Sequence, residues 1–464
     1  MIKQTTQQLA QTLKGKLLGS GKVVVENIST DTRQAVEKGL FFALKGEKFD
    51  AHDYVEKAIE QGCVALVVER ELAVNVPQII VEDTRLALGQ LAKWLKAEIN
   101  PKTVAMTGSS GKTTVKEMTA KILQKVTACE DQVLYTFGNL NNDLGVPLTL
   151  LRLTPEHKFA VVELGANHIG EIAYTTEIAQ PDACLVNNVA SAHLEGFGSL
   201  AGVAQAKGEI YRGLKAGGKA IVNLAHYYPE WQKEIGDHEL QSFCYTGEDK
   251  DSYADFWAEN VELHLNGSRF TLHTPQGEIE INLPYLGEHN VSNALAATAL
   301  AMAVEADLTA VKAGLEQRSA VKGRLYPIEI KENVLFIDDS YNANVDSMKS
   351  AVSVLKQYPA FRIFVVGDMA ELGKDSPACH QEVADFVKQA KLDLVVSFGK
   401  ESEVISGNSA HHFNDKTAMA AFLLPNILQK IEQDQPLVLL AKGSRSQKME
   451  EVIASLCRSF DVSF

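Results

Sequence analysis

The sequence predicts an α/β protein of three domains, built on mostly parallel sheets with one antiparallel excursion in the middle. Three observations lead there. Runs such as Phe159–Ala166 and Ala183–Ala190 are apolar almost throughout, as parallel strands covered on both faces must be. Segments with helical periodicity separate them. A chain of 464 residues also exceeds what one hydrophobic core ordinarily organises.

The first domain is expected over residues 1–82. It has a helix-like start, β-like runs at Leu40–Leu44 and Cys63–Glu69, an amphipathic stretch Tyr54–Gln61 between them, and an end near Pro77–Asp83. The second, 83–313, opens with an apolar strand from Lys102 and a helix through TTVKEMTAKILQKV. Further strands are expected at Phe159–Ala166, Ala183–Ala190 and Lys219–Ala225. Residues 256–284 alternate apolar and polar, with NG and PQG turns, and read as antiparallel hairpins. An alanine-rich helix follows at Asn290–Ala306. In the third domain, 314–464, VLFIDDSY, RIFVVGDM, LDLVVSFG and PLVLLAKG read as strands of a third αβ series.

The charge balance, 45 basic against 59 acidic residues, gives −14. No Lys/Arg stripe stands out, which argues against a nucleic-acid partner. No 18-residue apolar segment occurs, and no signal-peptide pattern opens the chain, so a membrane-free, cytoplasmic protein is expected. Six cysteines without a C-x-x-C pair read as buried thiols in a reducing compartment.

The chemistry starts at Thr107–Val115, TGSSGKTTV. Gly108, Ser109, Ser110 and Gly111 would let successive N–H groups converge on phosphate oxygens at a helix start. Lys112 would reach the β/γ-phosphates, and the Thr113 hydroxyl, followed by Thr114, would hold Mg²⁺. Met106 stands where the general phosphate-loop pattern asks for glycine.

Glu163 closes an apolar strand and reads as either an Mg²⁺ ligand or a helix-capping carboxylate. His193 reads equally as a ligand or a surface-loop histidine. Lys207, alone on a helix, reads as solvated. The cluster around Asn139, Asn141, Asn142 and Asp143 suggests a binding loop. His289 and Asn290 form either a polar face or a helix cap. Asp338–Asp339 suggests a metal or ribose site, or an Asx-rich turn. Lys442, Ser444 and Arg445 suggest a second anion site for a carboxylate. On these residues alone a transferase, a motor and a ligase all stay open, as does an ATP-dependent switch without ligase chemistry.

Together, STDTRQAVEKGLFFALKGEKFDAHDY, TGSSGKTTVKEM, VELGANHIGEI, AHLEGFGS, AKGEI, GEHNVSNALAA, DDSYNAN and LLAKGSRS resemble the Mur ligases of bacterial cell-wall synthesis. The resemblance implies a UDP-muramoyl-binding first domain, a central P-loop ATPase domain and a C-terminal Rossmann-like ligase domain. It implies an ATP-dependent, monomeric enzyme that joins D-alanyl-D-alanine to UDP-N-acetylmuramoyl-tripeptide through an acyl phosphate. Lys112, His193 and Lys207 become catalytic; Thr113, Glu163, His193 and Lys207 hold metal, with a carbamate on Lys207. Asn139, His289 and Asn290 become adenine-side contacts, and Arg324 and Asp339 contacts to phosphate and ribose. Ser29, Asp31, Thr32 and Arg33 become the UDP-binding segment. Tyr341 receives no phosphate role. The ligase adding the third amino acid and a folylpolyglutamate-type synthetase are the neighbouring readings.

Overall fold

The computed structural model describes residues 3–46, 49–190, 194–245, 253–317 and 321–464. Between Lys16 and Ile80 lies a five-stranded sheet, ordered by first residue Lys16, Gln78, Cys63, Gly39, Asn27. Its pairs are parallel except Lys16–Leu18 against Gln78–Ile80. The amphipathic stretch forms the helix Val55–Glu60, which lays Val55 and Ala58 on Phe41, Leu66 and Val68.

The helix Thr84–Ile99 joins this unit to the next. Asp83 caps it by accepting from the Arg85 and Leu86 N–H groups, and left-handed Asn100 ends it. Its Leu88, Leu91 and Leu95 are fully buried in a core shared by both units, worth roughly 1.5–3 kcal/mol each before ordering costs. Gln90 donates to the Thr12 carbonyl on one side, and Lys93 pairs with Glu177 on the other. A Cβ on Gly89 would collide with the Tyr174 hydroxyl, so glycine permits the close helix contact. The helix is therefore a packed strut.

The central sheet has nine strands in the order Gly277, Gly267, Phe256, Glu239, Lys219, Ala183, Lys102, Phe159, Val133. The seven from Phe256 to Val133 are parallel. The Gly267 and Gly277 strands are antiparallel, as the alternation of 256–284 predicts, with Gly267 and Gly277 at positive φ in the turns. The hairpins extend the main sheet through Phe243↔Phe256 pairing. Two strands carry little sequence signal. Val133–Tyr135 has three residues, and Glu239–Cys244 leaves half its length exposed or half-exposed and polar. The chain reverses its direction of travel across the sheet beside the Lys102–Thr107 strand, and such switch points open a crevice at the strands' carboxyl ends.

The third sheet runs Tyr326, Val334, Leu437, Phe361, Leu394, His412. It is parallel except for Tyr326–Lys331 on Val334–Asp339. The four read strands appear at Val334–Asp339, Phe361–Gly367, Leu394–Phe398 and Leu437–Lys442. All six cysteines are free thiols, and five are buried. Cys129 is exposed, contrary to the expectation of buried thiols, because the chain surfaces there before the short turn Glu130–Gln132. Among the described residues no helix is long and apolar enough to cross a membrane.

Candidate active site

The phosphate loop leaves the buried Lys102–Thr107 strand and enters the helix Lys112–Val126, with Gly111 as its N-cap at φ 77°. A Cβ on Gly111 would stand 2.5 Å from Asn293 Oδ1 and 2.6 Å from Asn187 Nδ2. Those amides bond each other at 2.9 Å, and Asn187 also donates to the Ser110 carbonyl at 3.1 Å. Asn188 Oδ1 accepts the Ser110 N–H at 2.9 Å. Ser109 exchanges bonds with Ala190 through its hydroxyl. The loop is thus braced by the Ala183–Val186 strand end and by the helix His289–Ala303. Sequence reasoning missed Asn187 and Asn188. Their signal was two adjacent amides closing an apolar strand.

Lys112 Nζ donates to the Gly108 carbonyl at 2.6 Å. Burial holds its amine below the usual lysine range; Glu163 opposes that shift and Arg324 adds to it. The Thr113 hydroxyl donates to Glu163 Oε2 at 3.0 Å and accepts from Arg324 Nη2 at 2.9 Å. Asn141 holds the other carboxylate oxygen at 2.8 Å, and the Thr136 hydroxyl accepts the Glu163 N–H at 3.0 Å. The geometry therefore joins Glu163 to the loop. It is 2% exposed and makes no helix cap. A hard hydroxyl and a carboxylate side by side suit Mg²⁺.

Lys207 lies in the last turn of the helix Leu200–Gly208, which Ser199 caps. It is 1% exposed, contrary to its solvated reading from sequence, with Nζ 5.3 Å from the Phe197 ring centre. Trp231 fixes that helix by donating to the Ala204 carbonyl at 2.8 Å and packing where Gly208 has no side chain. Burial, reinforced by Lys112, pulls the Lys207 pKa from 10.5 to about 7, while Glu171 and Glu209 oppose. A fraction of its amine is therefore uncharged near neutrality. His193 lies outside the described residues.

A cleft of about 910 Å³ joins these groups. Its walls include Lys112, Asn139, Glu163, Lys207, His289 and Asn290 from the central unit, and Arg324, Asp339, Lys442 and Arg445 from the third. His289 presents an exposed ring to the open cleft, and desolvation by the surrounding protein lowers its pKa from the usual histidine value, with Asp339 opposing that shift. Asp339 accepts the Leu325 N–H at 3.1 Å and the Lys442 ammonium at 2.7 Å. Lys442 also donates to the Asn342 carbonyl. The Ser444 hydroxyl meets that of Ser446, and Arg445 pairs with Glu450 at the surface.

Ser29, Asp31, Thr32 and Arg33 lie on the first unit and form no part of these cleft walls. Ser29 and Asp31 close a small turn. Arg33 clasps Asp31 with two nitrogens, which holds that carboxyl down at about 2.

The Mur ligase middle domain matches residues 106–301, the Mur ligase glutamate ligase domain 323–458, and the Mur ligase family catalytic domain 24–94. The chain belongs to the Mur ligase family. It is 61% identical to the UDP-N-acetylmuramoyl-tripeptide–D-alanyl-D-alanine ligase of Haemophilus influenzae, over 98% of this chain and 99% of that one. A solved MurF structure from Acinetobacter baumannii superposes with a TM-score of 0.91 at 41% identity, covering 98% and 99% of the two chains. The MurF ligase of Thermotoga maritima, solved in complex with ADP, gives 0.81 at 26% identity over 94% and 98%.

Proposed function

We infer that this Mur ligase joins D-alanyl-D-alanine to UDP-N-acetylmuramoyl-tripeptide at the expense of ATP, forming the UDP-muramoyl-pentapeptide of peptidoglycan synthesis. The observation that carries this is the near end-to-end likeness to the Haemophilus ligase of that name. The cleft joining the phosphate loop to the third unit supports it. ATP use is supported by the loop itself and by the ADP held in the Thermotoga relative.

The proposed division is 1–82 for the UDP-muramoyl group, with Ser29, Asp31, Thr32 and Arg33 on it, 83–313 for ATP, and 314–464 for closure and the acceptor. Backbone N–H groups of Gly108–Thr114 cradle the phosphates. Asn139, His289 and Asn290 face the adenine, and Asp339 faces the ribose. The tripeptide's terminal carboxylate attacks the γ-phosphorus of ATP, which expels ADP and forms an acyl phosphate. Lys112 and Arg324 stabilise charge on the transferring group. The dipeptide amine then attacks the acyl carbon and sheds a proton. The tetrahedral adduct expels phosphate and leaves a peptide bond.

Thr113 and Glu163 would hold a first Mg²⁺ and His193 a second, with a carbamate on Lys207 beside them; the two ions would neutralise phosphate charge. The depressed amine of Lys207 supports the carbamate, since only an uncharged amine attacks CO₂. Lys442, Ser444 and Arg445 form the proposed acceptor-carboxylate side. A monomer working in the cytoplasm, where ATP is supplied, completes the reading.

The test is phosphate release with ATP, Mg²⁺ and UDP-muramoyl-tripeptide. Release should require D-alanyl-D-alanine. Release driven instead by diaminopimelate, lysine or glutamate with the matching precursor would overturn the acceptor assignment.

A further inference from the structure

Tyr341 follows the strand Val334–Asp339 in the third unit. Its ring centre lies 4.2 Å from the guanidinium carbon of Arg324. Two backbone features fix this contact. The Tyr341 N–H donates to the Gly323 carbonyl at 3.0 Å. Gly323 has φ 79°, and a Cβ there would stand 3.1 Å from Tyr341 Cβ; the two segments come this close because position 323 carries no side chain. The guanidinium itself is thinly held. Its Nε is buried without a hydrogen-bond partner among the described residues, while Nη2 donates to Thr113.

We propose that Tyr341 is a positioning residue whose ring aims Arg324 across the cleft onto the phosphate loop. A ring face attracts the cation in place of lost water and restrains its swing out of plane. It leaves the in-plane N–H groups free to point at oxygen. The phenol hydroxyl has no part in this, so phenylalanine should serve as well. The inference rests on the reading of Arg324 as a phosphate-side contact.

The experiment is a double-mutant cycle in ligation kinetics on the full chain, with Arg324→Ala, Tyr341→Ala, Tyr341→Phe and the Arg324→Ala/Tyr341→Ala pair. Titration of a fluorescent ATP analogue keeps every corner measurable where turnover is slow. Tyr341→Ala should lower kcat/KM roughly 5- to 30-fold, the range of a desolvated cation–ring contact, while the KM for D-alanyl-D-alanine stays unchanged. Tyr341→Phe should stay within about twofold of the parent. With Arg324 already removed, Tyr341→Ala should cost less than about twofold more. An equal loss in both backgrounds would mean that the ring acts on its own, and Tyr341→Phe falling as far as Tyr341→Ala would assign the work to the hydroxyl; either result overturns the proposal. Full activity in Arg324→Ala would instead remove the underlying reading of Arg324.

Discussion

Replacing Lys207 with methionine should stabilise the fold while abolishing ligation. Methionine keeps the unbranched stem and removes the charge. A folded pKa of about 7 against an ordinary 10.5 corresponds to about 5 kcal/mol, at about 1.36 kcal/mol per pH unit, spent on keeping a cation buried. Losing the contact with the Phe197 ring returns about 1–2 kcal/mol, so the net gain is about 3 kcal/mol. For a unit the size of the central domain that raises Tm by roughly 6–12 °C. The sign follows from proton counts. Below about pH 7 both folded and unfolded chains carry the proton and the penalty is complete; between about 7 and 10.5 the folded chain has released it, so the parent gains stability as pH rises. The advantage of the variant should therefore shrink by about 2–3 kcal/mol between pH 6 and pH 9. The assay is calorimetric unfolding in CO₂-free buffer, where the amine and not a carbamate is the species present. A variant no more stable than the parent at pH 6, or a gap that ignores pH, would refute the reasoning.

Other positions give sharp outcomes. Gly111→Ala places a side chain at φ 77° against two bonded amides; left-handed strain plus one lost hydrogen bond should cost about 2–3 kcal/mol, read by denaturant unfolding, with ligation lost. The His289 ring should titrate below the ordinary histidine value of 6.5 when followed by NMR, because desolvation in the cleft disfavours its cation more than Asp339 favours it; a ring titrating at or above 6.5 would refute this. Cys129 alone should react quickly with a thiol reagent in the native protein, with the five buried thiols following only on unfolding. Lys442→Met leaves Asp339 buried without its 2.7 Å partner, so it should destabilise the fold by about 3–5 kcal/mol, measured by thermal unfolding.

The fold was legible where burial leaves long apolar runs, as at Phe159–Glu163 and Leu437–Lys442. It was illegible where a strand is short or half-exposed, as at Val133–Tyr135 and Glu239–Cys244. The loop Gly108–Lys112 could be read because its glycines and its lysine answer a local geometric demand. Lys207 could not be read from its own surroundings in the chain. Phe197 lies over its ammonium, and the helix that carries it is fixed by Trp231, which lies 24 positions from Lys207, beyond any helical period. Arg324 likewise gains meaning only from contact with Thr113, which is 211 residues distant.

The two cations at the loop come from different units, and this bears on closure. Lys112 belongs to the central unit, Arg324 to the third, and each meets the Thr113–Glu163 pair. Nearby Lys442 adds little net charge, because Asp339 holds it at 2.7 Å. Arg324 therefore adds to the positive charge at the loop from the third unit, although the whole chain carries −14. Arg324 pushes the Lys112 pKa down, which is like-charge repulsion across the cleft. A polyphosphate between the two would convert that repulsion into attraction for both. Nucleotide should then bind the closed arrangement better than an open one, and only such a difference in affinity can shift the balance between them. On the proposed reading, closure and phosphate binding would be one electrostatic event, and the acyl phosphate would form where water is already excluded.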